Sequence, residues 1–187
     1  WAAGAVLCLA IIAAYATSFR GVFVLDDIKA IVENPTIQDW SRPGLILNPG
    51  DVGGATVGGR PLVNLSLAIN RSLSGIDPWS YHAVNLAIHL GAALLLFGLG
   101  RRTLFLVSRR SLRAGDGTSK SPASRPIRSD ETLIAFAIAA LWALHPLQTE
   151  SVTYVIQRAE SLCGLFYLGT LYCFVRGVVS PAGGISY

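Results

Sequence analysis

The stretch His145-Pro-Leu-Gln-Thr-Glu-Ser-Val-Thr-Tyr-Val-Ile-Gln-Arg-Ala-Glu-Ser-Leu162 sets ionisable and amide side chains between two uncharged apolar segments, 133–144 and 162–175. Ionisable residues at membrane depth are costly, so they usually face a bundle interior or a water-filled cavity. The alternative is a helix end whose charges reach the membrane surface on apolar stems. If the stretch is helical from Thr149, spacings of three and four bring one polar set onto a single face. That set is Glu150, Tyr154, Gln157, Arg158 and Ser161.

The composition is that of a membrane protein. Of the 187 residues, 52% are hydrophobic and 14% are charged, whereas about 25% are charged in a typical soluble domain. The first 19 residues carry no charge, which suffices for a helix to cross an apolar layer of ~30 Å. A signal peptide is the competing interpretation, but no basic segment precedes this long apolar run. Because the chain begins with Trp1 and contains no Met, we expect a piece of a longer protein.

The apolar segments predict an all-α membrane protein with about four transmembrane helices and interfacial amphipathic helices in the first outer loop. The crossings are expected at residues 1–19, 79–100, 132–147 and 161–175, the last continuing a helix that begins near Thr149. Cys8, Cys163 and Cys173 all fall in apolar segments without paired spacing. We therefore expect small core residues there rather than disulfides or zinc ligands.

The loop 101–128 orients the chain, because it carries eight basic residues and the single acid Asp116. Loops rich in Lys and Arg stay in the cytoplasm. We therefore expect 101–128 inside, and both the loop 20–78 and the stretch 145–160 outside, in a periplasm or lumen. The basic loop lacks the interleaved aromatic residues of a nucleic-acid surface.

Phe23-Val-Leu-Asp-Asp27 is the most notable element of the outer loop, since it follows the first crossing closely. One carboxylate of Asp26 and Asp27 could take a proton from a hydroxyl, or the pair could help to hold a divalent cation. For an isolated Asp-Asp pair, a solvated acidic turn is the more common interpretation.

Arg60, Asn64 and Arg71 share one face of an apolar segment that predicts a helix at the membrane interface. They could bind a lipid phosphate or make ordinary headgroup contacts. In the second crossing, His82, Asn85 and His89 form a polar stripe, for which hydrogen bonds to a neighbouring helix are favoured over a metal site.

Three blocks, read together, resemble a known family: Phe23–Asp27; Arg60-Pro-Leu-Val-Asn-Leu-Ser66 followed by Tyr81-His-Ala-Val-Asn-Leu-Ala-Ile-His89; and 145–160. In order and spacing they are similar to the N-terminal part of the transmembrane and tetratricopeptide-repeat protein family, of the type-C glycosyltransferase superfamily. The resemblance covers residues 1–177. No tetratricopeptide repeat is visible, and superfamily members usually have more than four crossings, so the chain is expected to be part of a larger fold, inactive alone.

The resemblance implies an inverting enzyme that transfers a mannose-like sugar from a polyprenyl-phosphate carrier to a hydroxyl acceptor, such as protein Ser or Thr. It places Asp26 and Asp27 in the catalytic motif, one of them as base. It places five further residues around the donor phosphate and the acceptor: Arg60, His145, Glu150, Arg158 and Glu160. A divalent cation is compatible with this chemistry but not required. The implied location is a bacterial inner membrane or the endoplasmic reticulum membrane.

A non-enzymatic membrane scaffold or a transporter fragment is the alternative from another class. Transporters place their functional charges near the bilayer midplane, often at broken helices. In this chain Asp26, Arg60 and Glu150 are predicted at the outer edge instead, which favours chemistry at the interface.

Topology can be tested by labelling a cysteine engineered at Ser119, in a variant whose three native cysteines are replaced by alanine. Because we expect 101–128 to be cytoplasmic, an impermeant thiol reagent should not label Ser119→Cys in intact cells, whereas Ser41→Cys in the outer loop should be labelled. Efficient labelling at position 119 from outside would invert the predicted topology.

Overall fold

The structure, a computed structural model, describes residues 1–50, 57–115 and 129–179, with side chains up to 109 and 177 in the last two ranges. These residues form seven α-helices joined by 3₁₀ and π-helical turns, with no strand in the described part of the chain. The all-α prediction is confirmed. The helices are α1 Ala2–Tyr15, α2 Pro43–Leu47, α3 Pro61–Ser74, α4 Pro78–Gly115, α5 Ser129–Ala143, α6 Gln148–Thr153 and α7 Arg158–Val179.

Helix α4 is the centre of the helical bundle, because it packs against α5 and α7 and also contacts α1. On α5 the buried residues are Glu131 and three alanines at intervals of four, Ala135, Ala139 and Ala143. Small residues of this kind let two helix backbones approach closely. The bundle core also includes Leu7, Ile11, Tyr15, Leu86, Ala93, Phe97 and Val152.

The loop after α1 folds into a separate layer, here called the cap, formed by the described residues of 21–77. Its apolar core joins the cap to the start of α4 and to the residues before α7. The buried members are Ala30, Ile31, Ile37, Ile46, Val57, Val63, Leu67, Ala68, Tyr81, Val155 and Ile156. The cap is therefore a packed structure rather than a mobile loop.

The polar face of helix α3 was predicted to lie at the membrane interface, but much of it points into the protein. Asn64 is fully buried and Asn70 nearly so, and Arg71 donates through Nη1 to the carbonyl of Ile31. Leu62, Ile69 and Leu73 are instead exposed. The polar groups of α3 serve the cap, whose backbone needs partners, and the outward apolar face suits contact with lipid.

Two of the four predicted crossings are long and apolar enough to span a bilayer among the described residues, namely Ala2–Arg20 and Pro78–Arg109. Helix α5 has 15 residues, about 22 Å, and α7 carries Arg158 and Glu160 in its first turn. The first two crossings fit a membrane protein, while the third and fourth stay predictions.

The predicted continuous helix from Thr149 was wrong, since α6 ends at Thr153 and Tyr154 is extended, with φ −90° and ψ 111°. The predicted polar face is thereby divided: Arg158 is fully buried and Glu150 is exposed. The backbone N–H of Ile156 donates to Asp27 Oδ1 at 2.8 Å, so it is withdrawn from the helical ladder.

Two further predictions needed correction. Residues 101–115 continue α4 instead of forming a loop, because residues 101–114 contain neither Pro nor Gly. Residues 116–128 lie outside the described part. Cys163 and Cys173 are exposed rather than in the core, since they lie on the outer side of α7.

Asn64 gives a test of the cap. Its amide accepts from Asn34 Nδ2 at 3.1 Å and donates to Thr36 Oγ1 at 3.0 Å and to the carbonyl of Ile46 at 2.9 Å. Asn64→Ala leaves these buried groups unsatisfied and should destabilise the protein by about 2 kcal/mol, measured by denaturation in detergent. Ser72→Ala, on the exposed side of α3, should be near neutral; equal stability of the two variants would contradict the buried network.

Candidate functional site

The two adjacent acids after α1 occupy opposite environments. Asp27 is fully buried; its Oδ2 accepts from the backbone N–H of Val24 at 3.2 Å, and its Oδ1 from that of Ile156 at 2.8 Å. Asp26 is exposed, and its backbone N–H donates to Tyr154 Oη at 3.2 Å. The two adjacent carboxylates therefore differ in exposure, since one is enclosed by the protein and the other is open to the surroundings.

Burial raises the pKa of Asp27 above its usual range, while the hydrogen bonds from the backbone N–H groups of Val24 and Ile156 act in the opposite direction. The burial of Asp27 rules out, for this residue, the solvated acidic turn that was considered for the pair. Its cause is the packing of residues 154–156 over the side chain, which no local feature of the sequence indicates.

Leu25 has a backbone conformation that is rare for a residue with a side chain, with φ of +47°. A turn holds it there, because the N–H of Asp27 donates to the carbonyl of Val24 at 2.9 Å. The left-handed region costs roughly 1–2 kcal/mol for an L-residue. Strain of this kind often marks a functional position, and here it sends the Leu25 side chain outward, 79% exposed, directly before Asp26.

Arg158 is the largest fully buried side chain in the described part of the protein. Its Nε donates to Asn85 Oδ1 at 2.7 Å, its Nη2 to the carbonyl of Tyr81 at 3.1 Å and its Nη1 to Ser66 Oγ at 3.3 Å. The guanidinium also lies over the Tyr81 ring, at 5.8 Å from its centroid. The charge is thus held by protein groups from α3 and α4.

Asn85 links Arg158 to the break between α6 and α7. While its Oδ1 accepts from Arg158, its Nδ2 donates to the carbonyls of Tyr154 and Val155, at 3.4 and 3.2 Å. Asn85 therefore has the packing role that was favoured over a metal for the polar stripe on α4, whereas the ring nitrogens of the buried His82 have no hydrogen-bond partner among the described residues. His89 agrees with Asn85, since its Nε2 lies 3.0 Å from the carbonyl of Ala143 on α5.

An apolar groove with Arg60 at its rim runs between the start of α3 and the first turns of α7. Its volume is about 240 Å³. Its lining is formed by Arg60, Pro61, Leu62, Val63, Ala159, Leu162, Cys163 and Phe166. Leu62 and Phe166 are more than half exposed, so the groove opens to the surroundings along apolar side chains.

The structure brings the acid pair against residues 154–156, close in the chain to Glu150 and Arg158. Glu150 is exposed and its Oε1 accepts from Gln157 Nε2 at 3.4 Å. His145 and Glu160 are also exposed. His145 lies in the turn before α6, where its Nδ1 accepts a hydrogen bond from the backbone N–H of Leu147. The roles assigned to these residues stay predictions.

The sequence did not indicate a role for Ser66 or for the groove residues of α7. Ser66 had no assigned role, although it follows the Arg60 block closely and supports Arg158. For the groove residues of α7, the sequence predicted a membrane-spanning helix and nothing more. Their spacing, 159, 162, 163 and 166, is that of one helix face, but a pattern alone does not indicate which neighbour a face meets.

Among the described residues, no group of three or more His, Cys, Asp or Glu side chains gathers as a metal site. The divalent cation stays an open prediction.

Comparison with known proteins finds relatives for nearly the whole chain. It is 31% identical over 179 residues to the protein O-mannosyl-transferase Tmtc3 of Drosophila melanogaster, covering 92% of this chain and 19% of that protein. It is 34% identical over 189 residues to the human protein O-mannosyl-transferase TMTC4, covering 90% and 22%. The mouse TMTC1 protein is 31% identical, covering 97% and 18%. The chain thus spans about a fifth of these relatives, and the family resemblance is confirmed.

No family model matches the chain, and no solved structure matches it.

The raised pKa of Asp27 predicts a pH effect on stability. A folded-state pKa above the unfolded value, near 4, means that folding favours the protonated carboxyl. This contribution is complete below the unfolded pKa and is lost as pH rises through the folded pKa. Wild type should therefore lose stability relative to Asp27→Asn, which stays neutral, as pH rises through that window. Parallel melting-temperature profiles in detergent would contradict the prediction.

Proposed function

Since this chain is homologous over nearly its whole length to the protein O-mannosyl-transferases of the transmembrane and tetratricopeptide-repeat family, we propose that it is part of a membrane glycosyltransferase. The enzyme transfers a mannose-like sugar from a polyprenyl-phosphate carrier to a hydroxyl acceptor, most simply a protein Ser or Thr. The reaction takes place on the outer side of a multi-pass protein, in a bacterial inner membrane or in the endoplasmic reticulum.

The observation that carries this proposal is the division of the acid pair. Asp27 is fixed by two backbone N–H groups, whereas the adjacent Asp26 carboxylate is exposed on a strained turn. A general base must be within reach of the proton that it accepts, and Asp26 alone of the two meets that condition. Asp27 then acts as a positioning residue.

The surroundings of Asp26 suit a substrate that comes from the membrane. Val22 is 68% exposed and Leu25 79%, and Val24 and Ile28 are also exposed. Isolated apolar residues on a surface are common, but a contiguous patch marks an interaction with a membrane or partner. A lipid-linked donor would reach the acid along this patch without leaving the apolar layer.

The apolar groove beside Arg60 supports a lipid-phosphate donor. A guanidinium binds two phosphate oxygens in a planar geometry, and an apolar channel next to it accommodates a hydrocarbon chain. In this proposal Arg60 meets the phosphate and α7 guides the polyprenyl chain. Arg158, the other arginine considered, has its donors engaged inside the protein, so it supports the site indirectly.

The proposed step is a single displacement. The acceptor hydroxyl oxygen attacks the anomeric carbon from the face opposite the phosphate, forming a new glycosidic bond with inverted configuration. The bond from the anomeric carbon to the phosphate oxygen breaks, and its electron pair leaves with polyprenyl phosphate. The hydroxyl proton passes to Asp26, and Arg60 offsets the charge that develops on the phosphate.

The scaffold alternative predicts acids and arginines that bond only within the protein. Asp27 and Arg158 behave in this way. The carboxylate of Asp26 is instead exposed, and this exposure, together with the apolar groove between α3 and α7, supports the enzymatic proposal. A transporter is less well supported, because the ionisable groups of the site lie at the cap and at helix ends rather than within α1 or α4.

Asp26→Asn in the natural full-length protein is expected to reduce sugar transfer at least about a hundredfold, because an amide cannot accept the proton. Its stability and membrane insertion should change little, since an exposed carboxylate contributes little to folding. The measurement is transfer of labelled sugar from a polyprenyl-phosphate donor to a hydroxyl acceptor in membranes.

Asp39→Asn is the matched control, because Asp39 is an exposed acid of the same cap whose salt bridge to Arg42 lies on the surface. It should transfer sugar at the wild-type rate. Unchanged transfer by Asp26→Asn would remove the base from the proposed mechanism.

A further inference from the structure

Three arginines, here called the arginine cluster, lie at the inner end of the bundle, the end away from the cap. Arg101 and Arg102 are on α4, and Arg176 is on α7. As part of a helix, the segment 79–100 is about 33 Å long, close to the roughly 30 Å of the apolar layer of a bilayer. The two arginines of α4 therefore follow directly where this crossing ends, at the depth of the lipid phosphates.

Arg102 and Arg176 lie at the same level of two helices that run side by side in the same direction. Close contacts keep α4 and α7 in one register: Gly91 with Leu165, Leu95 with Gly169, and Gly98 with Tyr172. One further turn along each helix reaches Arg102 on α4 and Arg176 on α7. The two side chains therefore start from neighbouring positions.

The ring of Tyr172 forms a platform for Arg102. A Cβ built on Gly98 would lie 2.9 Å from this ring, so the glycine lets the ring rest against the backbone of α4. The Arg102 guanidinium lies over the ring, with its Cζ 5.4 Å from the centroid. Stacking of this kind uses the face of the guanidinium and leaves its in-plane N–H donors for another partner.

Arg101 stacks in a similar way and has a buried donor without a partner. Its Cζ lies 5.4 Å from the centroid of the Phe97 ring. Its Nε is buried and has no hydrogen-bond partner among the described residues. Such a buried polar group is unfavourable, and in native proteins it often marks a place where an ion or water binds. The protein does not hold Arg101 by this atom, which points to an acceptor from outside.

The charges of the arginine cluster are not balanced within the described part of the chain. None of its three members makes a salt bridge with a described carboxylate. The acids of this end, Asp130 and Glu131, belong to the first turn of α5, which meets α4 at Gly100 rather than at Gly98. Because arginines stay protonated, an anion bound among them would relieve their mutual repulsion.

We propose that the arginine cluster binds the phosphate of an anionic phospholipid headgroup, in the leaflet that faces the inner end of the bundle. Guanidinium groups bind phosphate oxygens through paired N–H donors. The position at the end of an apolar crossing favours a phosphate carried by a lipid over a free ion. The inference goes beyond the proposed sugar transfer and does not depend on it, since Asp26 lies at the cap.

The test uses the natural full-length protein, purified in a neutral detergent and titrated with dioleoylphosphatidylglycerol, with the bound fraction measured by native mass spectrometry. Binding should saturate, and dioleoylphosphatidylcholine should bind at least about tenfold more weakly, because its choline group offsets the phosphate charge. Arg102→Gln should weaken phosphatidylglycerol binding at least about tenfold, since it removes charged donors. Arg102→Lys should retain part of the affinity, because Lys keeps the charge but lacks the planar fork.

Arg176→Gln is a second variant, chosen because Arg176 is exposed near the end of α7. Its melting temperature should stay close to that of wild type, while phosphatidylglycerol binding weakens by about threefold, as for an exposed ion pair. Arg20→Gln is the matched control, because Arg20 is an exposed arginine at the cap end of the first crossing. It should bind phosphatidylglycerol as wild type does.

Three outcomes would overturn the lipid site. Equal affinity for the two lipids would indicate ordinary lipid contacts, and equal weakening by Arg20→Gln and Arg102→Gln would show that net charge decides binding. Displacement of the lipid by an equimolar amount of inorganic phosphate would identify a site for the free ion. Asp26→Asn should bind phosphatidylglycerol as wild type does, so failure of sugar transfer and failure of lipid binding are distinguishable.

Discussion

The arrangement of the site depends on the buried guanidinium of Arg158. An arginine stays protonated at any ordinary pH, and a charge without partners in a protein interior is strongly unfavourable. Asn85, Ser66 and the Tyr81 carbonyl supply those partners. Because they come from two helices, Arg158 can be buried only when α3, α4 and the start of α7 meet in one way.

A chain of hydrogen bonds connects Arg158 to the acid pair. Asn85 holds the carbonyls of Tyr154 and Val155, where a 3₁₀ turn over Val155–Gln157 replaces a continuous α-helix. The freed N–H of Ile156 then meets Asp27, and the phenol of Tyr154 receives the N–H of Asp26. A change at Arg158 should therefore alter the surroundings of Asp26 and Asp27, even though Arg158 itself is fully buried.

Much of the helical architecture could be predicted from the sequence, because long uncharged segments permit few alternatives. The break at Tyr154 could not, since residues 149–161 contain neither Pro nor Gly and the interruption arises from contacts with distant residues. The same holds for Asp26 and Asp27: two identical side chains next to each other give no local indication of which one is buried. The orientation of α3 was predicted wrongly for a related reason. A polar side chain needs hydrogen-bond partners, but the sequence does not show whether water or the cap provides them.

The contacts that fix the acid pair join residues far apart in the chain, with separations of 128 residues for Asp26 and Tyr154 and 129 for Asp27 and Ile156. At a synthesis rate of roughly 5–20 residues per second, the ribosome needs about 6–26 s to make the intervening segment. During that interval the acid pair lacks its contacts with Tyr154 and Ile156, and the turn at Leu25 has local hydrogen bonds alone, such as that from the N–H of Asp27 to the carbonyl of Val24. Assembly of the contacts around the acid pair must therefore wait for the segment before α7. A chaperone or a neighbouring membrane surface that shields the nascent cap would have that interval in which to act.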